Sequence, residues 1–354
     1  NHMTRLTLSA GQEAYIYALL REMETVSKNL KKRPVDTVFI GGGTPSVPEC
    51  DVMEKLLQGL RDYFLFSADA EVTIEANPGT LTPEKLSIYR KYGINRISIG
   101  LQSPNNKELA MLGRIHNYAQ FLESFQMARE AGFSNINVDL MFAIPGQCYE
   151  GWIENLRMVA ALGPEHISAY SLIIEEGTPF SRKKLDLPDE DTEYRMYEDV
   201  AAVLKEYGYH QYEISNYAKA GCECRHNEGY WQRKDYLGLG LGAASLLGKE
   251  RFSNTSDMQE YLKNSSAPEK IRKNRELLTR EDEMAEFMFL GLRMTQGVSK
   301  KEFQEYFGTA IENIYGEVLK KYKKQGLLLE ESGRIFLSRE GIHVSNAVMA
   351  DFLL

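Results

Sequence analysis

The chain of 354 residues is 43% hydrophobic and 26% charged, which is ample for a packed core and predicts one large domain with a smaller one. Its net charge of −8 argues against a broad nucleic-acid-binding surface, and no apolar run approaches the roughly 18–20 residues of a membrane-spanning helix. Four cysteines in so long a chain do not form a disulfide framework, and no signal peptide is recognisable, so we expect a cytoplasmic protein.

Strand and helix signals alternate from residue 12 to residue 172. Thr82 followed by Pro83, for example, has the N-cap and first-turn residues of a helix. The predicted strands cover 35–40, 71–75, 96–100, 136–141 and 166–172, and the predicted helices cover 12–32, 49–64, 104–112, 117–131 and 149–162. This alternation predicts parallel β/α units joined by right-handed crossovers.

Polar residues follow these strands at equivalent positions. The first strand ends in Gly-Gly-Gly-Thr-Pro at 41–45, where backbone N–H and C=O groups are free either to bind a ligand or simply to turn towards a helix. Glu75, Gln102, Asp139 and Ser171 stand at the ends of later strands. Each one alone is explained by a hydrogen bond within its own turn. Together they predict a shared site, because sites in such folds form at the carboxyl ends of strands.

The pattern changes after residue 180. We predict a charged surface connector over 183–193, a helix over 193–207 and a short strand over 212–216. The glycine-rich run at 237–245 is either a close-packed strand or a second ligand wall lined by backbone, and it does not match a dinucleotide-binding pattern.

The segment beyond the polar stretch 264–276 predicts a winged-helix module. Its helices are expected over 280–294, 299–307, 309–325 and 341–353, with a hairpin joining 327–330 to 334–337. Four lysines on the third of these helices either contact phosphates or form a solvated face, and we favour the solvated face. They are Lys320, Lys321, Lys323 and Lys324.

Several stretches together resemble a known family. They cover residues 40–46, 75–81, 95–103, 112–116, 137–141, 145–147, 212–218 and 226–231. The sequence resembles the radical S-adenosylmethionine (radical SAM) proteins related to oxygen-independent coproporphyrinogen III oxidase, and among them the HemW haem-chaperone branch. This resemblance implies an α/β fold, an incomplete, open (β/α)6-type radical SAM barrel over 4–180. A connecting region over 181–265 and a small winged-helix-like α+β domain over 266–354 follow.

The resemblance also implies a site for S-adenosylmethionine. The matching positions are Gly42, Gly43, Thr44, Glu75, Gln102, Arg114 and Asp139. Glu75 is expected to accept a hydrogen bond from the ribose or the ammonium group. Arg114 is expected to pair with the carboxylate, which suits a bidentate guanidinium better than a lysine.

Members of this family hold a [4Fe–4S] cluster with a C-x3-C-x2-C motif just after their first strand. The sequence here begins with the helix that normally follows that motif, and none of its cysteines has the required spacing; they are Cys50, Cys148, Cys222 and Cys224. We therefore expect no cluster ligands in this polypeptide and no radical cleavage of S-adenosylmethionine. The strand edge exposed by a missing first strand favours a homodimer.

The stretch at 226–231, H-N-E-G-Y-W, resembles the H-N-x-x-Y-W signature of the haem-chaperone branch. His226 would ligate haem iron, and Tyr230 and Trp231 would pack on the porphyrin. The alternative is that His226 hydrogen-bonds within a loop and Trp231 anchors that loop in the core. The thiols at 222 and 224 would join His226 as metal ligands only in an extended loop, so free thiols are the simpler interpretation.

The implied function is to bind haem and deliver it to haem-accepting proteins of the respiratory type, with S-adenosylmethionine and the cluster in support. One alternative is the oxygen-independent coproporphyrinogen III oxidase reaction, which we do not expect because the longer N-terminal extension of those enzymes is not found here. A winged-helix regulator that binds nucleic acid is another alternative, and the acidic composition weighs against it.

Overall fold

The computed structural model describes residues 2–30, 33–178 and 180–354, with side chains from residue 11 onwards. The chain divides into two compact units. The sheet unit comprises residues 38–47 and 71–224, and the terminal unit comprises the described part of 1–37 together with 48–70 and 225–354.

Seven strands form the main sheet: β1 (Val35–Ile40), β2 (Phe66–Ala76), β3 (Arg96–Gln102), β4 (Ile136–Phe142), β5 (His166–Ser171), β6 (His210–Glu213) and β7 (Asn216–Ala218). Their spatial order is β1-β2-β3-β4-β5-β7-β6. Strands β2 to β5 pair in parallel, whereas β7 is antiparallel to both β5 and β6.

Helices separate these strands along the chain: α1 (His2–Ser27), α2 (Cys50–Tyr63), α3 (Pro83–Lys91), α4 (Asn106–Met111), α5 (Tyr118–Glu130), α6 (Tyr149–Ala161), α7 (Glu190–Lys205) and α8 (Arg225–Trp231), with a 3-10 turn at Phe180–Arg182. The predicted cap of α3 is confirmed, because the Thr82 hydroxyl accepts a hydrogen bond from the Lys85 N–H at 3.2 Å. The predicted alternation of strands and helices is confirmed as well.

The two faces of the sheet differ in chemistry, because successive side chains of a strand point to opposite sides. One face carries fully buried apolar residues such as Ile97, Val138 and Ile167, and helices α5, α6 and α7 pack against β3, β4 and β5. The opposite face is lined mainly by polar side chains, and we call it the polar face. Its members are Glu71, Thr73, Glu75, Arg96, Ser98, Gln102, Asn137, Asp139, His166, Ser168 and Tyr170.

In the terminal unit, the buried carboxylate of Glu22 on α1 is surrounded by donors from the glycine-rich run and its neighbours. It accepts hydrogen bonds from the Gly240 N–H at 2.9 Å, the Asn254 amide at 2.6 Å and the Tyr261 hydroxyl at 2.6 Å. Gly240 has a φ of +98°, and a Cβ there would lie 2.5 Å from the Tyr15 hydroxyl. The run therefore turns tightly against α1. No strand is formed over 237–243, and a strand begins only at Ala244, so the predicted strand covers just the end of the run; the alternative of a ligand wall stays a prediction.

Two further groups of elements complete the terminal unit. The first contains β8 (Ala244–Leu247), β9 (Glu250–Asn254), α9 (Met258–Asn264), α10 (Pro268–Ile271) and β10 (Arg272–Leu277). The second contains α11 (Arg280–Gly291), β11 (Val298–Ser299), α12 (Lys300–Phe307), α13 (Ile311–Lys324), β12 (Leu328–Glu331), β13 (Arg334–Leu337), α14 (Arg339–His343) and α15 (Ser345–Ala350). Three helices with a β12–β13 hairpin match the predicted winged-helix module.

Several boundaries differ from the sequence prediction. Helix α1 begins at His2 rather than at residue 12. Helix α1 ends at Ser27 rather than residue 32, and residues 31 and 32 lie outside the described part of the chain. The strand predicted over 212–216 is two short antiparallel strands, β6 and β7. The helix predicted over 341–353 is broken at Val344 into α14 and α15. Strand β2 begins five residues early, at Phe66 against the predicted 71.

Candidate S-adenosylmethionine site

Two glycines with left-handed backbones and a close contact between Gly41 and Glu75 shape the glycine loop after β1. Gly42 has a φ of +83° and Gly43 a φ of +62°, conformations that L side chains rarely adopt. The N–H of Gly42 donates to Glu75 Oε2 at 3.1 Å. A Cβ on Gly41 would lie 2.9 Å from that oxygen, so the loop can contact β2 only because this position has no side chain.

The end of the same loop is held by the turn that follows β2. The Asn77 amide donates to the Thr44 hydroxyl at 3.2 Å, and the Ser46 and Thr80 hydroxyls are 2.6 Å apart. The ammonium group of Lys85 donates to the backbone oxygens of Ser46 at 2.7 Å and Val47 at 3.2 Å. These bonds fix Thr44 while leaving residues 41–43 exposed and open to a ligand.

Two carboxylates mark the negative end of the polar face. Burial raises the pKa of Glu75 above its usual range, the Gly42 N–H partly offsets this, and the charge of Asp139 raises it further. Burial also raises the pKa of Asp139, against the lowering effect of hydrogen bonds from Asn137 and Ser168. Two desolvated carboxylates that repel each other favour a cationic or hydrogen-bond-donating ligand group between them.

Strained backbone lies at the ends of β3 and β4. Gln102 and Ala143 both have left-handed backbones, with φ of 72° and 56°. The pairing of β3 with β4 also shifts register between Ile99 and Gln102. Gln102 is buried, and the Tyr170 hydroxyl donates to its Oε1 at 2.8 Å. Such residues cost about 1–3 kcal/mol each and concentrate at ligand sites.

Arg114 supplies the positive charge. It follows α4 in a turn where Gly113 has a φ of +69° and the Arg114 N–H donates to Leu109 O at 2.9 Å. The ring of His116 anchors this turn by a 3.1 Å hydrogen bond to Leu101 O. The exposed guanidinium acts on Tyr170, because its charge lowers the pKa of that hydroxyl against the larger effect of burial.

The sheet unit thus brings together an open glycine loop, two carboxylates, a buried amide and a cation. S-adenosylmethionine carries a sulfonium, an ammonium group, a carboxylate and ribose hydroxyls, so its chemistry fits this donor and acceptor set. The structure places all seven sequence-predicted residues of this site in the sheet unit, and their individual roles stay predictions. They are Gly42, Gly43, Thr44, Glu75, Gln102, Arg114 and Asp139.

Tyr170 is the member of the site that the sequence prediction missed. The prediction named its neighbour Ser171, which pairs with Phe142 and alternates to the apolar side of β5. Tyr170 instead donates to Gln102, and its hydroxyl lies within electrostatic reach of Asp139, Arg114 and Glu75. The sequence did contain a signal for Tyr170: residues an even number of positions apart on a strand point to the same face, so Tyr170 shares the face of the polar residue His166.

The described residues do not fit an iron–sulfur cluster. Among them, no three His, Cys, Asp or Glu side chains are grouped so as to hold a metal ion. None of the four cysteines forms a disulfide, and Cys50 and Cys148 are far in the sequence from the pair Cys222 and Cys224. Cys224 is buried, with its thiol 3.6 Å from Glu71 Oε1, and Cys222 is half-buried.

The stretch at 226–231 forms α8 in the terminal unit. His226 uses both ring nitrogens: Nδ1 lies 2.8 Å from the Thr37 hydroxyl and Nε2 lies 3.0 Å from the Tyr230 hydroxyl. The Tyr230 ring packs edge-on against Tyr236 at 4.7 Å, and Arg293 stacks over Trp231 at 4.3 Å. These contacts agree with an anchoring role, and ligation of iron by His226 would have to replace one of them.

Known proteins resemble this chain along most of its length. A model of the radical SAM superfamily matches residues 9–159, and a model of the HemN C-terminal domain matches residues 278–344. The "Heme chaperone HemW" of Bacillus subtilis (strain 168) is 37% identical over 346 residues, covering 96% of this chain and 91% of the relative. This chain belongs to the HemW family. The HemW of Escherichia coli (strain K12) is 35% identical over 337 residues, covering 92% of this chain and 88% of the relative.

A solved structure, titled "Coproporphyrinogen III oxidase (HemN) from Escherichia coli is a Radical SAM enzyme", superposes on this HemW-family chain with a TM-score of 0.86. The two are 22% identical, and the match covers 98% of this chain and 84% of that chain. This likeness confirms the predicted open radical SAM barrel with a small C-terminal domain. None of the helices in the described residues is long and apolar enough to cross a membrane.

Proposed function

We propose that this chain is a haem chaperone, which binds haem and transfers it to haem-accepting proteins of the respiratory type in the cytoplasm. The observation that carries the proposal is its similarity to proteins named "Heme chaperone HemW" along 96% of its length. That matched length includes the stretch at 226–231. The similarity therefore extends beyond the barrel to the segment proposed to bind haem.

His226 is the proposed axial ligand of haem iron. Its Nε2 faces Tyr230, which stands four residues later on the same helix, so this contact can open by a side-chain rotation without moving the backbone. The Nδ1 contact with Thr37 can remain and hold the ring in one tautomer, as partners of metal-bound imidazoles commonly do. Trp231 and Tyr230 supply aromatic surface beside it.

We further propose that the sheet unit binds S-adenosylmethionine. The glycine loop at 41–43 offers backbone groups, Glu75 and Asp139 face the cationic or ribose groups, and Arg114 pairs with the carboxylate. When bound, the ligand brings a charged sulfonium into the site. Gly41 supports this placement, since the lack of a side chain there lets the loop and Glu75 contact each other.

We propose that the chain has no coproporphyrinogen oxidase activity of its own. The likeness to the HemN structure concerns the fold, at 22% identity, and carries no activity with it. A nucleic-acid-binding role finds little support in α13, because Lys321 pairs with Asp351 at 2.6 Å and Lys323 pairs with Glu330.

A haem titration followed by Soret absorption tests the chaperone proposal. We expect a saturable Soret shift that His226→Ala abolishes. Tyr230→Phe should tighten haem binding several-fold, because it removes the hydroxyl that occupies Nε2, a bond worth about 1 kcal/mol. His210→Ala is the matched control, since that half-exposed ring pairs with Glu223 at 2.9 Å in the sheet unit. A shift that His226→Ala leaves unchanged contradicts the ligand assignment.

Transfer is tested by mixing the haem-loaded chain with an apo-cytochrome and following haem in the separated proteins. If the loaded chain retains all of its haem, the result contradicts the chaperone proposal. Conversion of coproporphyrinogen III to protoporphyrinogen IX by the chain would favour the oxidase instead.

A further inference from the structure

A line of buried hydrogen bonds crosses the polar face and ends at Asp139. The Tyr212 hydroxyl lies 2.8 Å from His166 Nε2, and His166 Nδ1 lies 2.6 Å from Asn137 Oδ1. The Asn137 amide then donates to Asp139 Oδ1 at 2.7 Å and to the Ser98 hydroxyl at 2.8 Å. All five residues belong to the sheet unit.

The direction of these bonds follows from the chemistry of their partners. Asn137 points its amide nitrogen at Asp139, which as a carboxylate only accepts, so its oxygen is the acceptor that faces His166. His166 must then carry its proton on Nδ1, which leaves Nε2 to accept from Tyr212. The Tyr212 oxygen in turn accepts from the Cys224 N–H at 3.2 Å. Every donor along the line therefore points towards Asp139.

His166 is suited to this role because it stays neutral. It is fully buried between β4 and β7, and burial together with the charge of Arg96 lowers its pKa well below the usual value. A neutral imidazole has one donor and one acceptor nitrogen, so it transmits a single hydrogen-bond direction. A protonated ring would donate from both nitrogens, so the Tyr212 hydroxyl would have to accept from Nε2 and the single hydrogen-bond direction would be lost.

We propose that His166 is a positioning residue for ligand binding, which acts by holding the Asn137 amide towards Asp139 and thereby fixes the carboxylate against the bound S-adenosylmethionine. The inference rests on the proposed binding of S-adenosylmethionine to the sheet unit. It adds to that proposal two buried residues, His166 and Asn137, of which Asn137 contacts Asp139 directly and His166 contacts Asn137.

A double-mutant cycle on S-adenosylmethionine affinity, measured by calorimetry on the full chain, tests the inference. We expect Asp139→Asn to weaken binding about tenfold and His166→Phe about fivefold. In the Asp139→Asn background, His166→Phe should have almost no further effect, because the group through which it acts is already gone. His166→Gln, which keeps an N–H donor, should recover part of the loss. Tyr209→Phe removes another buried hydroxyl, one that donates to Pro164 O, and should leave affinity unchanged.

Equal fivefold losses from His166→Phe in both backgrounds would overturn the inference, because a general structural defect is additive. If His166→Phe does not fold, Tyr212→Phe takes its place in the cycle with an expected loss of two- to threefold in the parent background alone. Nitrogen NMR of the histidine rings gives an independent check, since a proton on Nε2 of His166 contradicts the proposed direction. If the parent chain binds no S-adenosylmethionine, the proposed site itself fails, a result distinct from additive losses.

Discussion

Gly41→Ala isolates the contact between the glycine loop and Glu75. The backbone of Gly41 lies outside the left-handed region, so alanine is compatible with its conformation. The new Cβ would lie 2.9 Å from Glu75 Oε2, 3.0 Å from Glu75 Cδ and 3.1 Å from Phe39 Cε1. The substitution therefore acts by steric pressure on one carboxylate and not by backbone strain.

The size of the effect follows from what must move. Glu75 meets the new methyl group with the end of a flexible side chain, so rotation relieves the contact at the expense of the 3.1 Å bond from the Gly42 N–H. That N–H is exposed and can bond to water instead, so the free energy of unfolding should fall by only about 1 kcal/mol. The displaced carboxylate loses a charge-assisted contact with the ligand, worth about 1.5–3 kcal/mol, so S-adenosylmethionine affinity should fall at least tenfold.

Calorimetric titration and urea unfolding of the same preparations separate the two effects. Gly316→Ala is the matched control: this glycine lies in α13 with no atom within 4 Å of a new Cβ, so we expect unchanged affinity and a gain of about 0.5–1 kcal/mol in stability. Glu75→Gln should weaken binding as Gly41→Ala does. Parent-like affinity in Gly41→Ala would refute the placement of Glu75 against the ligand.

Three further substitutions test other features. Gln102→Gly relieves about 1–2 kcal/mol of left-handed backbone strain but removes the acceptor of the Tyr170 hydroxyl. These effects oppose each other, so the free energy of unfolding in urea should change by less than about 1 kcal/mol. The affinity for S-adenosylmethionine should fall several-fold. Thr82→Ala should lower the unfolding free energy by about 1 kcal/mol, because it removes the N-cap of α3; an unchanged urea midpoint would contradict this. Since the folded state depresses the pKa of His166, the unfolded chain binds more protons below about pH 6.5, and stability should fall as pH drops through that value. In His166→Gln, melting temperatures measured across this pH range should lack the part of the pH dependence that His166 causes.

Features set by local chemistry were predictable from the sequence. Thr82 and Pro83 mark a helix start through contacts within one turn, and Ser332 and Gly333 mark a hairpin because both have positive φ, at 51° and 75°. The glycine loop was located for a similar reason, since an apolar run that stops at three glycines has few other structures available.

Features that depend on strand parity were missed, and features that depend on tertiary packing were not predictable from the sequence. Tyr170 and Ser171 differ by one position, and that difference decides which of them lies on the polar face. The glycines at 238 and 240 alternate as in a strand, yet their surroundings are set by tertiary contacts, one of them with a residue far away in the sequence. A Cβ on Gly238 would lie 2.2 Å from Ala244 O, and Gly240 donates to Glu22.

The hydrogen bonds of Glu22 have a consequence for the order in which the chain folds. Its partners Gly240, Asn254 and Tyr261 follow it by 218, 232 and 239 positions. A ribosome therefore completes residues 71–224 before it makes any donor for this carboxylate. Throughout that interval α1 lacks the groups that later desolvate Glu22, and Ala18, which packs with Tyr261 and Ile271 in the folded chain, is uncovered and open to misassociation. Shifting these contacts to the end of synthesis makes folding of the terminal unit a late, long-range event, which the general relation between contact order and rate predicts to be slow.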